Sequence, residues 1–438
     1  MPQPFWGPGG PHAYTEGMRW GVVAVVATLV VASLSACSNR EPGTLEVPGD
    51  YGTIQAAVDH AVPGDLILIA PGTYHEAVEV GVDDITIRGL DRNLVILDGE
   101  HELRSGIVVR ADGVSVENLT VHSYRLNGVI FTGSGELGHF EDDYRNLPEL
   151  DEDGTVPHLE RFRIAYVTSY NNGLYGLYAF QSRNGVIEQS YASGHPDSGL
   201  YVGQCSPCNT VVDGVTMENN AIGYEGTNAT GDVYIVRSVF RGNRLGVTPN
   251  SQTQELLSPQ RETYVVGNLV VDNDNPNTPP IARGFFGGGI AVGGGVADYI
   301  ARNRVSGHDA FGIGVITLNP FDPESNTVEG NVLSNNRVDL VYAPGSSVTT
   351  SLGNCFASNE FTTSIPAAIE DIMPCPGVDG PVDLEELLLP RAPRGLDYRD
   401  MPAPPAQPQM PGDVRARPAP LPAQPTFPEL ASIGVPDA

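Results

Sequence analysis

Along the middle of the chain, apolar and polar residues alternate in short runs. "GVIEQSY" (185–191) and "DVYIVRSVF" (232–240) are two of them, and Asn, Gly, Ser or Asp separates each run from the next. Period-two alternation predicts short strands with one buried face, and the separating residues predict turns. The pattern then repeats as a block. "GLYAFQSRNGVIEQSYASGHPDS" opens at Gly176, "GLYVGQCSPCNTVVDGVTMENNAI" at Gly199 and "GYEGTNATGDVYIVRSVFRGNRL" at Gly223, and "GV" resumes at Gly246, giving spacings of 23, 24 and 23 residues. Two or three strands in each two-dozen-residue block describe one coil of a parallel β-helix. Similar blocks run upstream (83–99, 106–127) and downstream (289–311, 312–336). Asn recurs in the turns, where it tolerates left-handed backbone and can bond one coil to the next. Coils of this kind stack roughly 4.8 Å apart, so about a dozen make a rod of ~50 Å.

The stretch "GDYGTIQAAVDHAVPGDLILIAPGTYHEAVEV" (49–80) leads into these coils. Ile54, Ala57, Val58 and Ala61 fall on one helical face, which suits a helix covering the open end of a rod. "LILIA" (66–70) reads as the first buried strand, and Pro71-Gly72 turns the chain. With "PGTYHE" after it, this stretch resembles the first coils of right-handed β-helix proteins of the pectate-lyase-like, NosD-type and pectin-methylesterase-like group. The resemblance extends over residues 45–360. It implies an all-β, single-stranded right-handed parallel β-helix with an N-terminal capping helix, and it does not select a reaction. The polygalacturonase pattern ending in "RIK" cannot occur in a chain without Lys, and the pectin-methylesterase "DFIFG" element is missing. The "DPHD" of mannuronan epimerases has only "HPDS" (195–198) near it, and the Met and His clusters suited to NosD-type copper maturation are absent.

The coils are interrupted at 133–160, which is acidic and aperiodic, and again within 249–288. Insertions of this length are commonly functional or disordered. From 377 to 438 the chain is Pro-rich ("PAPPAQPQMPGDVRARPAPLPAQP") and reads as an extended, disordered tail. The N-terminal end has a different character. After Met18 and Arg19 comes "WGVVAVVATLVVASLSAC", an apolar run closing on small residues before Cys37, in the order of a secretory signal peptide. "LSAC" resembles the bacterial lipobox, which implies a lipidated Cys37 as the mature first residue and an extracytoplasmic, membrane-anchored protein. A transmembrane anchor is the alternative. Residues 1–17 sit awkwardly ahead of this signal, so Met18 is the expected start, residues 1–37 are leader and 38–376 are the rod.

Composition narrows the partners. The 438 residues include 51 Gly and 37 Pro, a density that favours strands and turns over a helical bundle. All 24 basic residues are Arg, against 53 acidic ones, for a net charge of −29. No Lys is present, which removes Schiff-base chemistry and P-loop phosphate binding. The acidic surface disfavours nucleic acid, and the expected contact with a membrane is through the lipid alone. A monomer with a polysaccharide partner is the expectation. Once Cys37 is set aside, Cys205 with Cys208 and Cys355 with Cys375 remain as two candidate disulfides outside the cytoplasm. Cys205 precedes "NTVVDGV", a strand, so the thioredoxin-like use of Cys-x-x-Cys at a helix N-terminus does not apply. No second ligand pair stands near for zinc.

Candidate chemistry centres on "SGHPDSGLYVGQCSPCNT" (193–210). With Leu177, Leu200, Tyr224 and Val247 inward, the repeat aligns Tyr178, Tyr201, Glu225 and Thr248 on the outer face. Stacked exposed Tyr rings beside a carboxylate suit a sugar. A slip of one residue buries those rings instead. His195 and Asp197 at the edge of that face are candidates for base and orienting acid, with Tyr201, in a lyase or epimerase. That reading predicts an Arg such as Arg183 or Arg241 converging on them in a groove beside the 133–160 loop. A polar turn is the plainer reading of His195 and Asp197. A structural or adhesive spacer is a further alternative, and it predicts a featureless outer face. No metal or cofactor is expected, although the acidic run 141–153 leaves Ca²⁺ open; it lacks EF-hand spacing and reads as solvated charge.

Overall fold

In a computed structural model of the chain, residues 40–133, 155–280, 284–318, 320–384 and 386–437 are described. They form three parallel sheets of 12, 11 and 10 strands, each running the length of one rod. The first strands of sheet A are Thr44–Val47, Leu66–Ile69 and Thr86–Gly89; sheet B begins with Gly72–Tyr74 and sheet C with Val78–Val80. From Leu66–Ile69 to Cys355–Ala357 successive strands visit A, B and C in turn, and the strands pair in parallel, one coil on the next. The chain is therefore a parallel β-helix. Helix α1, Ile54–Asp59, packs against the first strands of sheets A and C and buries Ile54, Ala57 and Val58. Its N-terminus is satisfied by the Thr53 hydroxyl, which accepts from Ala56 N, and by Glu76, whose carboxylate accepts from the N–H groups of Ile54 and Gln55. Both disulfides form, Cys205–Cys208 and Cys355–Cys375. The signal segment, Cys37 and the acidic run 141–153 lie outside the described residues.

The lumen is filled by inward residues such as Leu177, Leu200, Tyr224 and Val247, none of them accessible to solvent. The turns joining sheet B to sheet C are buried too, so their polar groups need partners inside the protein. They find them in one another. Asn172 Nδ2 donates to His195 Nε2 (3.2 Å), and His195 Nδ1–H then donates to Asn220 Oδ1 (2.8 Å). Asn220 Nδ2 donates to Asn243 Oδ1 (3.1 Å) and Asn243 Nδ2 to Asn273 Oδ1 (2.8 Å). Asn273 Nδ2 reaches His308 Nε2 (3.2 Å), and His308 Nδ1–H donates to Asn336 Oδ1 (2.7 Å). Two imidazoles thus act as rungs in an asparagine ladder. A second ladder, Asn268–Asn303–Asn331–Asn359, joins sheet A to sheet B and ends on Glu370. The glycine that opens each repeat belongs to the same packing. A Cβ on Gly176, Gly223 or Gly246 would lie about 2.5 Å from the carbonyl oxygen of the matching glycine one coil on.

The Pro-rich tail departs from expectation. It is extended, but it lies against the rod and is not disordered. Proline removes N–H donors and leaves carbonyls unpaired, and arginines on the rod supply donors to them. Arg88 donates to Val414 O and Ala416 O, Arg92 to Pro408 O, Arg244 to Pro393 O, Arg302 to Leu430 O and Ile433 O, and Arg304 to Pro436 O, at 2.5–3.1 Å. Arg92 is inaccessible and, among the described residues, has no carboxylate as a hydrogen-bond partner. Its other N–H groups bond Thr168 Oγ1, Val167 O and Gln189 O, which ties three coils and the tail to one guanidinium. Phe427 of the tail packs on Tyr234, the first of a row with Tyr264 and Tyr299 on sheet A.

Buried titratable groups make the rod's stability depend on pH in two directions. Burial pushes His195 and His308 down to about 4. Protonation would turn each Nε2 into a donor facing an Asn N–H. Their stabilising contribution is complete above the unfolded value near 6.5 and is lost as pH falls to about 4, on the order of 3 kcal/mol each. Acid unfolding of the His195→Asn/His308→Asn double variant should therefore begin at lower pH than that of the wild type. Asp298 has the opposite sign. Its Oδ1 accepts from Gln260 Nε2 and Thr263 N, both at 2.8 Å. Its Oδ2 and Gln260 Oε1 are buried without partners and both flank Gly295. A proton on Oδ2 closes an acid–amide pair, and burial raises this carboxyl to about 7. That contribution is lost as pH rises from the unfolded value through about 7. Asp298→Asn reproduces the protonated geometry, so its melting temperature should exceed the wild type's at about pH 8 and match it at about pH 5; equal melting temperatures at both would show that Asp298 is not held neutral.

Candidate functional site

The register places Tyr178 beside Tyr201, Tyr201 beside Glu225 and Glu225 beside Thr248 on successive strands of sheet C. The row expected from the repeat is there, and it faces away from the lumen. It is not exposed. Tyr178 is 1%, Tyr201 2% and Glu225 8% accessible. With Val108, Ile130 and Phe180 the two rings form a second, smaller apolar cluster outside the main core. Two insertions cover it. Tyr175, from the turn before Leu177–Phe180, stacks on Tyr178 at 4.4 Å and leans on Tyr201 at 5.2 Å. The segment 251–260 folds back from the next coils, held by Asn228 Nδ2, which donates to the carbonyls of Gln252, Glu255 and Leu256. The row was legible from periodicity; the cover was not, because both covering pieces are aperiodic.

Three carboxyls meet these rings. Glu255 Oε1 accepts from Tyr201 Oη at 2.7 Å, while Glu255 Oε2 is buried without a partner among the described residues. Ser198 Oγ stands between the other two, 2.8 Å from Glu225 Oε2 and 3.2 Å from Asp197 Oδ1. Glu225 also accepts from Thr227, Asn250 and Gln252. Burial raises all three carboxyls, Asp197 further because Glu225 is beside it and Glu255 to about 8. Burial also lifts the three phenols above their usual range. At neutral pH the cluster therefore holds protons and offers O–H donors as well as acceptors. Glu255 and Tyr175 are the site residues that the sequence reading missed. Tyr175 stands two positions before an inward strand residue, and nothing in the insertion marks Glu255 apart from its neighbours.

His195 does not join this cluster. Both of its ring nitrogens are used in the asparagine ladder, its ring is inaccessible, and it faces Asn172 and Asn220 rather than Asp197. The expected base–acid pair of His195 with Asp197 is not formed. The sequence held the clue, since His195 stands 23 residues after Asn172 and 25 before Asn220, at a ladder position. Arg183 and Arg241 do not converge on the face either. Arg183 pairs with Glu160 at 2.5 Å and Arg241 with Glu218 at 2.6 Å. Asp213 and Glu188 are likewise in pairs elsewhere, with Arg237 and Arg163. Among the described residues no group of three His, Cys, Asp or Glu has the geometry to hold a metal ion.

No protein-family model matches the chain, and no curated protein matches it. Several solved structures are similar in their coils. A mannuronan C-5 epimerase A-module of Azotobacter vinelandii is 14% identical, over 71% of this chain and 94% of its own, with a TM-score of 0.45. An alginate lyase from Paenibacillus sp. is 14% identical, over 69% and 98%, with a TM-score of 0.39. A DFA-IIIase from Arthrobacter chlorophenolicus is 12% identical, over 74% and 99%, with a TM-score of 0.43. The parallel β-helix assignment stands on this chain's own sheet topology.

Proposed function

We propose that the chain is an extracytoplasmic rod that binds a polysaccharide across the outer face of sheet C and acts on it there. The observation that carries this reading is the gathering of Tyr175, Tyr178 and Tyr201 with Asp197, Glu225 and Glu255 outside the lumen. Packing the rod does not require three carboxyls at that place. Aromatic rings suit the apolar face of a pyranose, and acid groups held protonated suit hydroxyl recognition and proton transfer to a glycosidic oxygen. A featureless spacer has no use for such a cluster. A lyase or epimerase built on His195 and a converging arginine loses the residues it needs. Access requires the 251–260 segment, which carries Glu255, to lift and then close again over the ligand; its Thr253, Gln254 and Ser258 are already exposed to solvent.

Binding to immobilised glycans tests the reading directly. Wild-type protein should bind at least one polysaccharide, and Tyr178→Ala/Tyr201→Ala should weaken binding at least about tenfold, as expected when two stacking rings are lost. A folded wild type that binds no glycan ends the proposal. The address rests on the leader sequence and on two disulfides suited to an oxidising compartment. We place the protein on the membrane through a lipid on Cys37, as a monomer without nucleic-acid or cofactor partners. Cells fed a clickable palmitate analogue should label the wild-type chain and leave Cys37→Ser unlabelled.

A further inference from the structure

The charges around the sheet-C cluster are unbalanced in one direction. Asp197, Glu225 and Glu255 are its acids, and the groups facing them are Tyr175, Tyr178, Tyr201, Ser198, Thr227, Asn250 and Gln252. No arginine or histidine is among the hydrogen-bond partners of these three carboxyls within the described residues, and the chain has no lysine to send. Arg183, Arg241 and Arg244 are engaged elsewhere, with Glu160, Glu218 and Pro393 O. One oxygen, Glu255 Oε2, is buried with no partner among the described residues. A uronate entering here would set a fourth carboxyl against three with no cation between them. A neutral sugar would leave the acids as they are. An ammonium group supplies three N–H donors and a positive charge, and tyrosine faces attract it as well. The net charge of −29 also draws cations toward the rod.

From this geometry we infer that the site selects a cationic amino-sugar polymer, a hexosamine glycan carrying free ammonium groups, over uronate or N-acetylated glycans. The inference rests on the polysaccharide reading above and names its substrate class. The ammonium sits between Glu225 and Glu255 Oε2, where it replaces the proton that the buried acid otherwise keeps. Binding at neutral pH therefore releases protons, a signature that shape-driven recognition of a neutral glycan lacks.

The test uses the full chain in detergent and three probes of equal length: a glucosamine hexamer, its fully N-acetylated counterpart and a galacturonate hexamer. Titration calorimetry in two buffers of different ionisation enthalpy reads affinity and proton release together. The glucosamine hexamer should bind at least about tenfold tighter than the other two, less tightly at high salt, and with a heat that depends on the buffer. Glu255→Gln should remove most of that preference and the proton release, while Glu188→Gln, which alters a surface pair with Arg163, should leave both unchanged. Circular dichroism checks that each variant is folded. Equal or tighter binding of the acetylated or uronate hexamer overturns the amino-sugar inference and leaves the polysaccharide reading in place. Binding of none of the three overturns both. If 1,4-diaminobutane binds as tightly as the glucosamine hexamer, the site takes a small cation, and both fall.

Discussion

From Asn172 onward each coil of this rod hands its buried turn to the next, and a side-chain amide or imidazole does it. A strand in a parallel sheet is satisfied along its length by its neighbours, but the turns between sheets pair their backbones only in places, such as Gly194 N with Asn219 O and Ala221 N with His195 O. Here asparagine supplies a ladder: its Oδ1 accepts from the amide of the preceding coil while its Nδ2 donates to the next. Because that unit repeats, the coils keep register over insertions as different as Gly194–Ser198 and the long excursion between Asn243 and Asn273. The opening glycines follow from the same closeness, since carbonyls of adjacent turns approach to a distance that a Cβ would obstruct. His195 and His308 show how strict the rule is. An imidazole fits the ladder only in the one neutral tautomer that accepts at Nε2 and donates at Nδ1.

The tail is governed by the same accounting of donors and acceptors. Proline-rich chain carries acceptors without donors, and a solenoid side carries arginines whose forked N–H groups can serve several carbonyls at once. Arg92 serves four acceptors, three on the rod and one on the tail. A lysine could not hold that planar arrangement, and this chain uses arginine throughout. An apparently disordered composition is therefore compatible with a fixed path, provided the surface beneath supplies what proline lacks.

Much of this was legible in the residues and some was not. The fold was legible because a 23-residue period with alternating runs has few three-dimensional solutions, and Tyr178, Tyr201, Glu225 and Thr248 fell in the expected row. What periodicity cannot report is which rows are covered. Burial of Tyr178 and Tyr201 depends on Tyr175 and on segment 251–260, and neither repeats. The tail was misjudged for a related reason: its composition describes what the segment lacks, and its order comes from arginines more than a hundred residues away. His195 was misjudged because a chemically suggestive neighbourhood drew more weight than its ladder spacing.

The allocation of positive charge explains why the sheet-C cluster differs from the rest of the molecule. With 53 acidic residues and 24 arginines, most carboxylates cannot each have an arginine of their own. The arginines nearest the buried or half-buried acids are assigned in pairs, Arg88 and Arg163 to Glu117, Arg161 to Asp84 and Arg237 to Asp213. Others, such as Arg92 and Arg304, are committed to backbone carbonyls. A carboxyl that is both buried and outside this allocation has three stable conditions: it keeps a proton, it meets a cation from outside the chain, or it accepts backbone N–H groups, as Asp65 does from Gly43 and Val62. Asp298 takes the first, with Gln260 shaped to receive its proton. Glu255 has a proton but no acceptor for it among the described residues, on an outer face, in a segment held by the side chains of Asn228, Thr230 and Tyr201. That difference separates a carboxyl that finishes a core from one built to exchange its proton for a ligand.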